Sequence, residues 1–159
     1  MPGLPGIEVM HGVNLDVLEL RDQGHYGGLS LTALEQRIAS QAWELGVGVG
    51  FFQTNSEGEF VERLHEIARR VRDSSERRAP GGLILNPGAW THYSWAIHDA
   101  LEIVGLPAVE VHLSDLSSRE SFRQVSVVRD LCLTTIAGRG LDGYGEALAR
   151  LKAEIEGSG

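Results

Sequence analysis

The sequence predicts an α/β fold, a flavodoxin-like, doubly wound sheet of five parallel strands in a three-layer α/β/α arrangement. Three observations predict it. Short apolar runs alternate five times with longer segments of helical spacing along the 159 residues. Alternation of this kind means parallel strands joined by right-handed crossovers, with helices on both faces. The length suits one domain, and 42% apolar with 23% charged residues is an ordinary globular balance.

The elements follow in order. Residues 7–10 form a short apolar run that ends at His11-Gly12. Residues 31–45 place Leu31, Leu34, Ile38, Ala42 and Leu45 on one helical face, with Ser30 as a natural N-cap. Residues 47–52 are a glycine-interspersed β run. Ser56-Glu57-Gly58-Glu59 has the form of a capping box and precedes Phe60, Val61, Leu64, Ile67, Ala68 and Val71, again one helical face. A polar, breaker-rich loop over 73–81 leads into the strand Leu83-Ile84-Leu85. A helix over 94–104 ends at Gly105, and the strand 107–114 follows. After an irregular stretch over 115–126 come a fifth strand, 131–137, and a closing amphipathic helix, 142–155. Residues 14–30 make an unusually long connection, read as a lid hinged at Gly27-Gly28. The expected organisation is a flexible lead-in over 1–6 and a single catalytic domain over 7–156.

Composition excludes several classes. A net charge of −8, spread along the chain, argues against nucleic acid or an anionic membrane as partner. No apolar segment is long enough to span a bilayer. The first residues lack the basic region and apolar stretch of a signal peptide, and the lone Cys132 sits in an apolar run as a core residue. A cytoplasmic location is therefore expected.

In a parallel sheet every strand ends on the same edge, where ligands bind. His11 and Asn14 follow the first strand, Gln53 and Asn55 the second, Asn86 and His92 the third, His112 and Ser114 the fourth. The lid adds Arg21 and Tyr26, and the stretch after the fourth strand adds Arg119 and Arg123. The set holds no obvious activated Ser or Cys nucleophile. His11-Gly12-Val13-Asn14 matches neither a dinucleotide fingerprint nor a phosphate loop. Acid–base chemistry without a cofactor, on a polar and anionic small molecule, fits these residues.

Several segments in order carry a resemblance to a known family. They are Asn14-Leu15, Arg21 with Tyr26-Gly27, the segment from Gln53 to Gly58, the segment from Leu85 to His92, Asp99-Ala100-Leu101, Glu110-Val111-His112-Leu113-Ser114, Arg119-Glu120 and Phe122-Arg123. From about Ile7 to about Leu148 the chain resembles the type II 3-dehydroquinate dehydratases. The resemblance implies dehydration of 3-dehydroquinate, an anionic polyhydroxylated cyclic ketone, to 3-dehydroshikimate without metal or cofactor. It implies that Tyr26 removes a proton next to the ketone, that Arg21 favours the phenolate, and that His112 protonates the departing hydroxyl. Help of that kind is needed, since an ordinary tyrosine titrates near pH ~10. Asn86, His92, Leu113, Ser114 and Arg123 are implied to hold the substrate, Arg123 pairing with its carboxylate. Asp99 is implied to reach a neighbouring subunit's site, in a homo-oligomer of trimers assembled into a dodecamer.

The chain departs from the family pattern at His11, which stands where the family has an Asn that holds a water near the enolate. His11 holds that water through an N–H, acts as an acid, or blocks it. Val13, His98, Asp115 and Ser117 are further departures, and Trp90, Tyr93 and Trp95 are bulkier than the common choices, filling core or interface gaps or, for Tyr93, reshaping the pocket. These motivate an alternative, a diverged member acting on an amino-substituted dehydroquinate or another polyhydroxylated cyclic ketone. Two other readings stand beside it: a metal site of His11, His92 and His112, and a non-catalytic binding protein. The plainer readings of single residues are that Arg119 and Glu120 only pair with each other or across subunits, that Tyr26 only excludes water, and that Trp43 packs in the core or an interface.

Overall fold

The computed structural model describes residues 6–26, 28–73 and 79–158. The lead-in apart from Gly6, Gly27 of the expected hinge and the tip of the 73–81 loop lie outside the described residues. The strands are β1 (Ile7–His11), β2 (Val49–Gln53), β3 (Gly82–Asn86), β4 (Ala108–His112) and β5 (Thr134–Ala137). The helices are α1 (Gln23–Tyr26), α2 (Leu31–Leu45), α3 (Glu57–Arg72), α4 (Trp95–Val104) and α5 (Gly140–Gly157). The five strands form one parallel sheet in the order β2-β1-β3-β4-β5, the doubly wound arrangement expected.

Two apolar layers cover the sheet. Ile7, Val9, Ile84, Val109 and Val111 pack against Leu34 and Ile38 of α2 and Ala147, Leu148 and Leu151 of α5. Met10, Leu83, Leu85 and Ala108 face Phe60, Leu64 and Ile67 of α3 and Ile97, Leu101 and Val104 of α4. Strands β1, β3 and β4 are buried along their whole length because helices cover both faces.

The helix ends are set by local chemistry. Ser30, Ser56 and Ser94 each accept a hydrogen bond from the backbone N–H three residues on. The capping box at Ser56 is only half made. Glu59 donates its backbone N–H to Ser56, but its carboxylate accepts the Thr54 hydroxyl instead of reaching back. Thr54 Oγ1 in turn accepts from the Ser56 N–H at 3.0 Å, so one hydroxyl replaces the missing arm.

Three expectations change. The fifth strand begins at Thr134 rather than 131, because Arg129–Leu131 form a single 3-10 turn closed by Cys132 N–H donating to Arg129 at 3.1 Å. Leu131 and Cys132 are apolar because they pack on the α3/α4 layer, not because they are extended. The 14–30 connection has its own structure, a 3-10 segment over Leu15–Leu20 and then α1. Leu15 and Leu18 are buried in the α2/α5 layer, which anchors the base of the lid. Trp43 is 86% exposed, so it is not a core residue. It lies one position off the inward stripe of Leu34, Ile38 and Ala42.

Candidate active site

The loops after β1 and β3 leave the sheet toward opposite layers, and the crevice between them opens beyond the strand ends. Their backbones touch. A Cβ on Gly12 would lie 2.2 Å from the Pro87 carbonyl oxygen, and one on Gly88, at φ +64°, 2.8 Å from the Val13 carbonyl oxygen. Only glycine permits that approach. It seats the Asn86–His92 turn against the root of the lid.

The crevice is a small pocket open to solvent. Arg21 and Tyr26 from the lid, Asn86 and His92 after β3, and His112, Leu113 and Ser114 at the end of β4 line it, with Arg119 and Arg123 closing the rim. Nine of the fourteen residues singled out from the sequence therefore meet here; Asn14, Gln53 and Asn55 lie outside it, where the Asn14 N–H and the Gln53 amide donate to Asn55 Oδ1. His11 and Asp99 do not line it.

Tyr26 sits between two cations. The Arg21 guanidinium lies 4.1 Å from the ring centroid and that of Arg119 5.7 Å away. Arg119 Nη1 also donates to the Tyr26 hydroxyl at 2.9 Å and to Ser114 Oγ at 3.2 Å. The Arg119–Glu120 approach is 3.9 Å and engages a different nitrogen. Arg119 is therefore a pocket residue that bridges lid and sheet, beyond the pairing with Glu120. Opposite charge at this range stabilises a phenoxide when one forms.

His112 is oriented from below. Its Nε2 lies 2.5 Å from Glu110 Oε2, and the acceptor is a carboxylate, so Nε2 carries the proton and Nδ1 is left for chemistry. Glu110 is fully buried, yet its carboxyl is held down at about 2: burial works against the charge, and the His112 contact with hydroxyl donors from Thr91 and Ser126 outweighs it. Glu110 is the functional residue that sequence reasoning passed over. Its signal was a glutamate inside an otherwise apolar strand, two residues before a histidine and so on the same face.

The other groups are poised to bind. His92 Nδ1 lies 2.6 Å from the Val125 carbonyl oxygen and must donate to it. Burial lowers the His92 pKa, and the positive charge of His112 and Arg123 lowers it further. A neutral ring donating from Nδ1 presents Nε2 as an acceptor for a hydroxyl. Asn86 Oδ1 accepts the Gly88 N–H at 3.2 Å, which leaves its amide N–H₂ as the donor. Arg123 Nε is paired with Glu120 at 2.7 Å while the residue lines the rim. Asp99 is 74% exposed at its side chain and pairs with His98 at 2.9 Å on α4.

His11 is a correction to the sequence reading. β1 continues through His11, in register with Gln53 and Asn86, so the side chain alternates inward with Ile7 and Val9. It is fully buried behind the sheet, stacked on Phe51 with centroids 6.2 Å apart and beside Tyr144 at 6.4 Å. Among the described residues no group hydrogen-bonds either ring nitrogen. Glu35 lies 3.9 Å from Nε2, too far for a hydrogen bond, and burial wins: the His11 pKa falls to about 4. Protonation therefore favours the unfolded chain. The stabilisation is complete above the ordinary value near ~6.5 and drains away as pH falls toward about 4, a loss of roughly 3 kcal/mol. Urea unfolding at pH 7 and pH ~4.5 checks this: His11→Asn is expected to flatten the acid dependence relative to the parent.

The remaining candidates resolve simply. Among the described residues no group of three or more His, Cys, Asp and Glu side chains is placed to hold a metal ion. His11 lies across the sheet from the other two histidines, and His112 and His92 each commit one ring nitrogen to a protein acceptor. Cys132 is pushed up to about 12, burial first and the Glu110 charge second, so its thiol is inert. Among the described residues no helix is long and apolar enough to cross a membrane.

Comparison with known proteins shows the family. Residues 5–152 match the family model described as dehydroquinase class II. The 3-dehydroquinate dehydratase of Caldicellulosiruptor saccharolyticus is 41% identical over 92% of this chain and 95% of its own. That of Thermotoga maritima is 43% identical over 93% and 95%. The crystal structure of the type II dehydroquinase from Propionibacterium acnes superposes with a TM-score of 0.83 at 38% identity, covering 94% of this chain and 97% of that one. With its family model spanning nearly the full length and its lid and strand-end residues gathered in one crevice, the chain belongs to the class II dehydroquinase family.

Proposed function

We propose that this chain dehydrates 3-dehydroquinate to 3-dehydroshikimate, with Tyr26 as base and His112 as acid. One observation carries the reading: the Tyr26 hydroxyl and the His112 imidazole meet in the same pocket, each already held by a partner of the opposite charge type. The named relatives support the substrate.

The chemistry is an elimination through an enolate. The Tyr26 oxygen, as phenoxide flanked by Arg21 and Arg119, takes a proton from the carbon beside the substrate ketone. The electron pair moves onto the carbonyl oxygen. Collapse of the enolate forms the ring double bond and expels the hydroxyl two carbons from the ketone. That hydroxyl takes the proton from the pocket-facing nitrogen of His112 and leaves as water. His112 enters this step as the imidazolium, with Nε2 donating to the Glu110 carboxylate, and between turnovers it regains a proton from solvent as Tyr26 releases the one it took. Arg123 holds the substrate carboxylate, and Asn86, His92, Leu113 and Ser114 hold the ring and its hydroxyls.

Arg119 is expected to matter as much as Arg21. Arg119→Met removes a charge-assisted hydrogen bond to the base and should lower kcat by about 10- to 100-fold. The test of the reaction itself is turnover by the purified chain, followed through the absorbance of the conjugated enone. No signal with 3-dehydroquinate at high enzyme concentration would reject it.

The same reading includes an assembly of trimers into a dodecamer. Asp99 is exposed and does not line its own pocket. Tyr93, Trp95, Phe122 and Val125 are exposed, and Phe122 meets His92 in a T-shaped contact. Sedimentation equilibrium would give the subunit count.

A further inference from the structure

We infer that Thr91, Ser126 and Thr135 are positioning residues: their hydroxyls fix the Glu110 carboxylate in the one setting from which it orients His112. The inference rests on the reading of His112 as the proton donor.

Glu110 and His112 are two residues apart on β4, so their side chains share the face toward α3 and α4. A fully buried carboxylate at that depth is costly unless its lone pairs are met. Four donors meet them. Thr91 Oγ1 and His112 Nε2 both reach Oε2 at 2.5 Å, while Ser126 Oγ reaches Oε1 at 2.7 Å and Thr135 Oγ1 reaches it at 3.1 Å. The hydroxyls come from three places other than β4: the turn after β3, the stretch before the last 3-10 turn, and β5.

With donors on both oxygens the carboxyl plane cannot turn. A plane that cannot turn holds the imidazole at one angle, with the same nitrogen toward the pocket. Thr91 does more than its neighbours. It shares its oxygen of Glu110 with the imidazole, its hydroxyl lies 3.2 Å from that of Ser126, and its carbonyl accepts the Val127 N–H at 2.8 Å. It also immediately precedes His92, whose Nδ1 donates to Val125 in the same stretch. Thr91 thus couples the turn that binds substrate to the carboxylate that orients the acid. It is fully buried and does not line the pocket, so it acts only through Glu110.

The experiment is steady-state kinetics of the full chain on 3-dehydroquinate for Thr91→Val, Thr91→Ser, Ser126→Ala, Thr135→Val, Glu110→Gln and the Glu110→Gln/Thr91→Val double variant, with His112→Ala alongside. Thr91→Val and Ser126→Ala should lower kcat by about 10- to 100-fold with KM within about threefold of the parent. Thr91→Ser, which keeps the hydroxyl, should restore kcat to within about threefold. In the Glu110→Gln background Thr91→Val should change kcat by less than about threefold, because the two act as a unit. Parent-like kcat in both Thr91→Val and Ser126→Ala would overturn the inference. So would an equal loss in Thr91→Ser, which would assign the effect to packing. If Thr91→Val does not fold, the half-buried Ser126 and Thr135 variants decide it. A His112→Ala variant with parent kcat would instead defeat the assignment of the acid; a crippled His112→Ala beside intact hydroxyl variants defeats only the positioning role.

Discussion

Tyr26→Phe is expected to lower kcat by about 10³-fold while leaving KM and the melting temperature close to those of the parent. The substitution deletes one oxygen. The ring stays between Arg21 and Arg119, 4.1 and 5.7 Å from the two guanidiniums, so the lid keeps its packing. What disappears is the atom proposed to accept the proton and the 2.9 Å hydrogen bond from Arg119. If Tyr26 were only a plug that excludes water, the phenylalanine would serve as well and kcat would scarcely change. Steady-state kinetics with both proteins separates the two outcomes.

His112→Ala is the second large effect, with an expected fall in kcat of about 10²- to 10⁴-fold. Two losses combine. The departing hydroxyl has no proton donor and must leave as hydroxide, and Glu110 keeps its charge with the imidazole donor gone. The three hydroxyls that remain on Glu110 still satisfy it in part, so the variant should fold. A measurable drop in stability is expected nonetheless, because a buried carboxylate has lost its partner. Thermal unfolding at pH 7 measures the second effect and kcat the first.

The sheet was legible because each strand is either a continuous apolar run or lies next to a helix with a clear inward stripe. Leu83-Ile84-Leu85 reads as a strand buried on both faces, and that is its place between β1 and β4. Ser30 and Ser56 mark their helix starts because a hydroxyl cap is a local event. Most of the pocket was legible for a related reason: polar residues that follow apolar strands must collect at one edge.

What was not legible depends on where a strand stops or on contacts distant in sequence. Ending β1 at Met10 places His11 on the rim; one further residue of ladder turns it into the core. A single position decides, because side chains alternate with period two. Arg119 and Tyr26 are 93 residues apart, and nothing local distinguishes an arginine that bridges a lid from one that pairs with Glu120. Thr91, Ser126 and Thr135 are ordinary hydroxyl residues until the fold brings them to one carboxylate. The turns of the lid are too short to show helical periodicity, and their anchors, Leu15 and Leu18, are visible only as two apolar residues in a long connection.

The division of labour between phenol and imidazole is tested most directly by isotope exchange. 3-Dehydroquinate is incubated in D₂O with His112→Ala or with Tyr26→Phe, and deuterium at the carbon beside the ketone is followed by NMR. In the proposed order Tyr26 forms the enolate before His112 acts, so His112→Ala should exchange that proton faster than it forms the enone, and Tyr26→Phe should do neither. Exchange by Tyr26→Phe at the rate of His112→Ala would contradict the account.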